Sequence, residues 1–168
     1  MTPRERLFSL EQFGIKLGLE SIHKILDALE RPERAWPAVH IAGTNGKGSV
    51  TAMVEHGLRA AGHRTGRYTS PHLDRIEERI ALDGVPVAPD VFDTVAADIL
   101  AVVDRLRESG TLEAIPTFFE VTTAMAFEIF RRTKVTVGVI EVGLGGRFDA
   151  TNVLTPEVTA ITSIAFDH

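Results

Sequence analysis

The sequence predicts a three-layer α/β domain on a mostly parallel sheet. Three observations carry that expectation. Val135-Thr136-Val137-Gly138-Val139-Ile140 is an unbroken apolar, β-branched run of the kind covered on both faces in a parallel sheet. Strand-like segments alternate with helical periodicities along the chain. The first strand also runs directly into a glycine-rich turn and then a helix, the order of a phosphate-binding βα unit.

Element by element, Leu7, Leu10 and Phe13 make one apolar stripe. Ile22, Ile25, Leu26 and Leu29 make a cleaner one, ended by Pro32, so two short helices are expected. Residues 38–42 form a short strand. Val50, Met53, Val54, Leu58 and Ala61 then recur at helical spacing up to Gly62, which stops the helix. A second strand covers 65–69, broken by Ser70-Pro71. Residues 78–82, Asp83-Gly84 and 85–87 predict a hairpin around a D-G turn. A long helix over 89–107 sets Val91, Val95, Ile99, Val102 and Leu106 on one face, and another helix covers 117–132. Residues 158–164 read as a second buried strand like 135–140. No internal repeat or low-complexity tract interrupts the pattern.

Composition bounds the function. The 168 residues suffice for one domain, and 44% hydrophobic with 24% charged residues is ordinary globular usage that excludes wholesale disorder. The absence of cysteine excludes a disulfide framework and thiolate chemistry. Eighteen basic against 23 acidic residues give a net charge of −5 and no broad basic field, so no nucleic-acid partner is expected. No apolar run reaches the roughly 18 residues that span a bilayer, and the start lacks a secretory apolar core. A soluble, cytoplasmic domain with no membrane partner is expected. The chain stops at residues 164–168, straight after an apolar run.

The strongest chemical signal is Gly43-Thr44-Asn45-Gly46-Lys47-Gly48-Ser49. Its glycines let successive backbone N–H groups turn toward an anion, and the following helix adds its partial positive N-terminus. Lys47 can reach outer phosphates, and the Ser49 hydroxyl can approach a nucleotide's Mg²⁺. Gly48 stands where Ser or Thr ordinarily follows the lysine. Glu141 ends the apolar strand at the sheet edge where ligands bind, suited to anchoring Mg²⁺ directly or through water. The bland readings are a glycine-rich surface turn and a charged strand end.

Together GTNGKGS (43–49), TSPHL (69–73), TFFE (117–120), EVGLGGRFDATN (141–152) and TSIAFDH (162–168) resemble the folylpolyglutamate synthase/dihydrofolate synthase family of the Mur ligase superfamily. The resemblance covers nearly the whole chain, and it implies an ATP-dependent amide ligase. ATP phosphorylates the carboxylate of dihydropteroate or a folate, and the amine of L-glutamate then displaces phosphate. It also implies an N-terminal ATP-binding domain over 1–168, incomplete at its C-terminus. The C-terminal domain that binds glutamate and the superfamily's carbamylated lysine lie beyond the chain, so 1–168 alone is expected to be inactive.

Position by position, the resemblance implies that Gly43, Thr44, Asn45, Gly46, Lys47, Gly48 and Ser49 hold the ATP phosphates, with Gly48 the family's usual residue. Ser49, Ser70, Glu141 and His168 would hold Mg²⁺, with Lys47, Glu141 and His168 as the catalytic set. The pterin substrate would lie across Thr117, Phe118, Phe119 and Glu120, across Phe148, Asp149 and Ala150, and along Ile15, Lys16 and Leu17. Aromatic rings there can stack on a flat pterin, and carboxylates can accept its N–H groups. Phe118 and Phe119 read equally well as core, and Asp149 as a loop brace. His72 is a weaker ligand candidate than Ser70, whereas His23, His40, His56 and His63 read as structural or surface residues. Arg75, Glu77, Glu78 and Arg79 read as a solvated face, and Arg147 as an anion contact or a loop salt bridge. A monomer is expected.

Three competing readings stay open. A sibling ligase of cell-wall synthesis leaves SPHL and GGRFDATN unexplained. A fragment that binds nucleotide or pterin without turnover fits the missing C-terminal part. An ordinary phosphate-loop kinase or GTPase explains only 43–49.

Overall fold

The computed structural model describes residues 1–14 and 18–165. The chain runs α1 (Pro3–Ser9), α2 (Glu20–Ala28), β1 (Ala38–Ala42), α3 (Lys47–Ala60), β2 (Thr65–Tyr68), β3 (Ile80–Leu82), β4 (Val85–Pro86), α4 (Pro89–Glu108), α5 (Phe118–Arg132), β5 (Val137–Glu141) and β6 (Val158–Ile161). Short 3₁₀ turns occupy Leu10–Phe13, Pro32–Arg34, Ile76–Arg79 and Ala150–Val153. The strands form one six-stranded sheet in the order β4-β3-β2-β5-β1-β6. β2, β5, β1 and β6 are parallel, and the β3–β4 hairpin closes one edge antiparallel. Asp83 and Gly84 carry φ of 50° and 80°, the paired left-handed conformation that a two-residue D-G turn requires.

Alternation along β2 fixes the layers. The Thr65 hydroxyl donates to Glu55 of α3 at 2.5 Å, so that face meets α3. Gly66, its neighbour, faces the other way, where a Cβ would stand 2.6 Å from the Phe130 ring of α5. Gly138 of β5, paired with Gly66, does the same under Trp36, where a Cβ would stand 2.4 Å from the indole ring. Two glycines thus let α5 and Trp36 settle onto the sheet. Trp36 meets Phe127 and Phe130 edge-on at 5.5 and 5.4 Å. α1, α2 and α4 pack around α5 to complete the core, so the sheet lies between α3 and this helical layer.

Several boundaries and faces differ from the sequence expectation. Phe13 is exposed, and the first apolar stripe ends in a 3₁₀ turn rather than a longer helix. On α3 the residues against the sheet are Thr51 and Glu55, while Met53 is 65% exposed. Those two side chains take hydrogen bonds of their own, which compensates their burial. α4 buries Phe92, Val95, Ala96, Ile99, Leu100, Val102 and Val103 and leaves Val91 outward, so its packed face is broader than the period-based stripe and is turned away from Val91. β5 begins at Val137 and is buried throughout, as expected of an inner strand. Among the described residues β6 is the edge strand beside β1, and Val158 is 56% and Ile161 64% exposed rather than buried. Among the described residues, no helix is long and apolar enough to cross a membrane.

The order of connections sets the site. β1 leads through α3 to β2 on one side, whereas β5 leads to β6 on the other side of β1. Strand order reverses beside β1, and in open α/β sheets ligands bind outside the carboxyl ends at that reversal.

Candidate functional site

The carboxyl ends of β1, β2, β5 and β6 meet in one crevice. After β1, Gly43 adopts φ 132°, and a Cβ there would fall 1.9 Å from the Thr162 hydroxyl oxygen. Only glycine permits this approach. Gly46 at φ 82° is the N-cap of α3, and no side chain caps that end. The first N–H groups of α3 are therefore free of a side-chain partner and suited to an anion. Lys47 lies on the first turn and folds back to donate to the Thr44 carbonyl at 3.3 Å.

The segment after β6 clips this loop in place. The Ser163 carbonyl accepts from Thr44 N–H at 2.8 Å, Ala165 N–H donates to the Thr44 hydroxyl oxygen at 3.1 Å, and the Ser163 hydroxyl donates to the Asn45 carbonyl at 3.4 Å. Residues 43–49 thus form one continuous turn and helix start.

Glu141 ends β5 opposite that turn. A Cβ on Gly48 would stand 3.8 and 3.9 Å from its two carboxylate oxygens, so the missing side chain keeps the gap between loop and acid open. This gives a physical reason for glycine where Ser or Thr usually follows the lysine. Glu141 is 6% exposed. Burial raises its carboxyl above the ordinary range, and the Ser70 N–H bond at 3.1 Å and the Lys47 charge offset this only in part. Phosphate loop, Ser70 and Glu141 are thus brought together.

Beside them opens a cavity of about 590 Å³. Its walls include Thr117, Phe118, Phe119 and Glu120 from the start of α5, and Phe148, Asp149 and Ala150 from the loop after β5, with Ser70 and Pro71 toward the phosphate loop. Every described residue of the expected substrate set is therefore on one wall or another. Ile15, Lys16 and Leu17 lie outside the described residues, although Gly14 and Gly18 on either side of them also line the cavity. His168 lies outside them too.

The wall residues divide their work. Thr117 and Glu120 form a capping box: Glu120 Oε2 accepts from Thr117 N–H at 2.8 Å and Glu120 N–H donates to the Thr117 hydroxyl at 3.2 Å. That box fixes where α5 begins and so where Phe118 and Phe119 stand. Phe118 is buried and stacked on Phe8 at 5.9 Å, which makes it core as well as wall. Phe119 is half-buried, stacks on Tyr68 at 6.0 Å, and presses against Gly143, where a Cβ would meet its ring at 2.5 Å. Asp149 braces its loop, accepting from Leu144 N–H at 2.8 Å and from Thr151 N–H at 3.0 Å. Phe148 is exposed at the mouth, beside Arg147.

The charge run at 75–79 is a solvated face only in part: Arg75 is exposed, whereas Glu77 and Arg79 are buried. Glu77 is buried and paired with Arg4 at 2.7 Å; burial alone would raise its carboxyl, but the Arg4 bond and charge hold it below the ordinary value. Arg79 is 8% exposed, lines the cavity and donates Nε–H to His72 Nδ1 at 2.9 Å. A run of mixed charge carries no signal of burial, since only tertiary packing brings Phe118 and His72 to Arg79. Of the two readings open for His40, structural or surface, the fold selects the structural one: it is buried on β1, and its Nε2 shares a hydrogen with the Thr151 hydroxyl at 2.8 Å.

For a cation, the described donors beside the phosphate loop are oxygens: the Glu141 carboxylate, across from Gly48 and bonded to the Ser70 N–H, with the Ser49 and Ser70 hydroxyls on the segments next to it. Such a set suits Mg²⁺, which takes one or two protein oxygens and leaves the rest of its shell to water and phosphate. Among the described residues, no group of three or more His, Cys, Asp or Glu side chains could cage a metal alone.

Fold and crevice together define an α/β domain of the phosphate-loop class. No family model matches the chain. Its homologues are folylpolyglutamate and dihydrofolate synthases. It is 44% identical to the dihydrofolate synthase/folylpolyglutamate synthase of Mycobacterium tuberculosis over 90% of its length and 32% of that protein's. It is 35% identical to human mitochondrial folylpolyglutamate synthase over 99% of its length and 27% of that protein's. Among solved structures it superposes on the Thermotoga maritima folylpolyglutamate synthase with a TM-score of 0.89 at 39% identity, over 98% of this chain and 38% of that one. An FPGS complex with AMPPCP and folate gives a TM-score of 0.90 at 37% identity, over 100% of this chain and 42% of that one. The chain spans about a third of the length of the curated relatives it matches.

Proposed function

We propose that the chain is the part of an ATP-dependent carbon–nitrogen ligase that holds ATP and the folate substrate. The full reaction would add L-glutamate to dihydropteroate, to reduced folates, or to both. The observation that carries this reading is the shared crevice: an uncapped α3 N-terminus with Lys47 faces Glu141 and Ser70, and the cavity lined by 117–120 and 148–150 opens alongside.

The chemistry brings two anions together, the terminal phosphate of ATP and the substrate carboxylate. Residues 43–49 would hold the phosphates through backbone N–H groups and the Lys47 ammonium, which offset part of that repulsion. Phe119 and Phe148 would flank a flat ring, so that the carboxylate end points back toward Ser70. Fixing both partners at one sheet edge supplies proximity, the largest service this chain's own residues offer. Glu141, with Ser49, Ser70 and His168, would hold Mg²⁺, which when bound neutralises phosphate charge. The carboxylate oxygen then attacks the terminal phosphorus, ADP leaves, and the acyl phosphate awaits glutamate. The same reading places the protein in the cytoplasm as a monomer, with small molecules as its partners.

Calorimetric titration of the 168-residue chain with AMPPCP and with pteroate tests this. Both are expected to bind, and Lys47→Ala should weaken AMPPCP about 10- to 100-fold while leaving pteroate unchanged. An unchanged AMPPCP affinity in Lys47→Ala would remove the phosphate-loop assignment.

A further inference from the structure

Arg79 stands out in the charge inventory of the cavity. It is buried, yet among the described residues no carboxylate lies within ion-pair distance of it. Its partners there are neutral. Nε–H donates to His72 Nδ1 at 2.9 Å, and the guanidinium carbon stands 5.1 Å from the centre of the Phe118 ring. A guanidinium carries five donors in a planar fork, and one bond plus one aromatic face leave most of that fork unused.

The acids on the same walls are compensated in other ways. Both Asp149 oxygens accept from the loop that carries them, at Leu144 and Thr151. Glu120 closes the capping box on the first turn of α5, where the helix N-terminus favours negative charge. Neither forms an ion pair with Arg79. The remaining N–H groups of Arg79 are not sealed in the core but open on the cavity, where an entering anion would pair with them.

We propose that Arg79 is the anion-holding residue of this cavity and takes the carboxylate of the ligand that enters it, a flat heteroaromatic carboxylate. The inference rests on the folate reading above. Arg79 selects carboxylate over an uncharged end, and Phe118 and His72 hold its fork toward the cavity.

The test compares pteroate with methyl pteroate, in which the carboxylate is an uncharged ester, on the 168-residue chain. The wild-type chain is expected to prefer pteroate by about 10- to 100-fold. Arg79→Met, whose unbranched side chain still covers Phe118, should bring the two affinities to within about a factor of two. AMPPCP affinity, which reports an intact fold and phosphate loop, should not change. If Arg79→Met also loses AMPPCP, Arg79→Gln, which can still donate to His72, takes its place under the same criteria. A preference for pteroate that survives either substitution would overturn the inference, as would equal wild-type affinities for acid and ester. A wild-type chain that binds AMPPCP but neither pteroate nor its ester would instead overturn the folate reading, and this inference with it.

Discussion

The phosphate loop and the cavity share one sheet edge but are built in opposite ways. The loop is a single stretch, 43–49, and its geometry is backbone: glycines at φ 132° and 82° turn the chain, and Lys47 is the side chain that matters. The cavity is assembled from 70–71, Arg79, 117–120 and 143–150, and its walls are mostly side chains. A backbone site concentrates its tolerance limits in a few glycines, where any Cβ is an obstruction. A side-chain site spreads its energy over many groups, so that losing one weakens the site without abolishing it.

The sharpest way to break this contrast is Gly43→Ala. The added Cβ would overlap the Thr162 hydroxyl oxygen at 1.9 Å and crowd its backbone nitrogen at 3.0 Å, in a backbone conformation that L side chains rarely adopt. The segment that clips the loop would have to leave, taking the Thr162-to-Ala42 and Thr44-to-Ser163 bonds with it. We expect a loss of about 3–5 kcal/mol, combining strain and overpacking, and loss of AMPPCP binding. Thermal unfolding should show a midpoint about 10 °C lower. A chain with wild-type melting and wild-type AMPPCP affinity would show that the loop is not held by this approach.

Phe119→Ala probes the other half of the contrast and should be milder. The ring is half-buried, with Tyr68 stacked on one side and Gly143 against its edge. Its removal should cost about 1–2 kcal/mol of stability and weaken pteroate about tenfold, through lost stacking and lost wall. AMPPCP affinity should hold. If AMPPCP fell as steeply as pteroate, the two sites would be one mechanical unit and the contrast would collapse.

The same contrast explains what could be read from the sequence. The strand–turn–helix at 38–60 and the buried strand ending at Glu141 were legible, because local spacing and a run of β-branched residues encode them directly. The D-G hairpin was legible for the same reason. The family motifs pointed to 117–120 and 148–150, and the fold brings both to one cavity. Less legible was anything decided by neighbours distant in sequence. The apolar run at 158–164 carries no mark of standing beside β1 at the edge of the described sheet, because edge or centre depends on strand order. Glu55 looks like a solvent-facing helix residue until Thr65 is placed opposite it. Arg79 looks like one charge among several until Phe118 and His72 surround it.

The smallest expected effect concerns the strut between the two regions. His40 lies on β1, whose end carries the phosphate loop, and its ring bonds to Thr151, which donates to Asp149 of the cavity wall. Burial holds the imidazole below its ordinary value of about 6.5, and the Asp149 charge only partly offsets this. The unfolded chain therefore takes up a proton near pH 6.5 that the folded chain does not yet bind. Stability falls as pH drops through that value and continues to fall until the lower, folded value is passed. His40→Gln can keep a hydrogen bond to Thr151 but has nothing to titrate. Between pH 7.5 and 5.5 the wild-type midpoint should drop further than that of His40→Gln, with the other histidines common to both. Equal losses in the two chains would mean that His40 gains its proton as readily folded as unfolded, and that the strut between loop and cavity carries no pH-dependent strain.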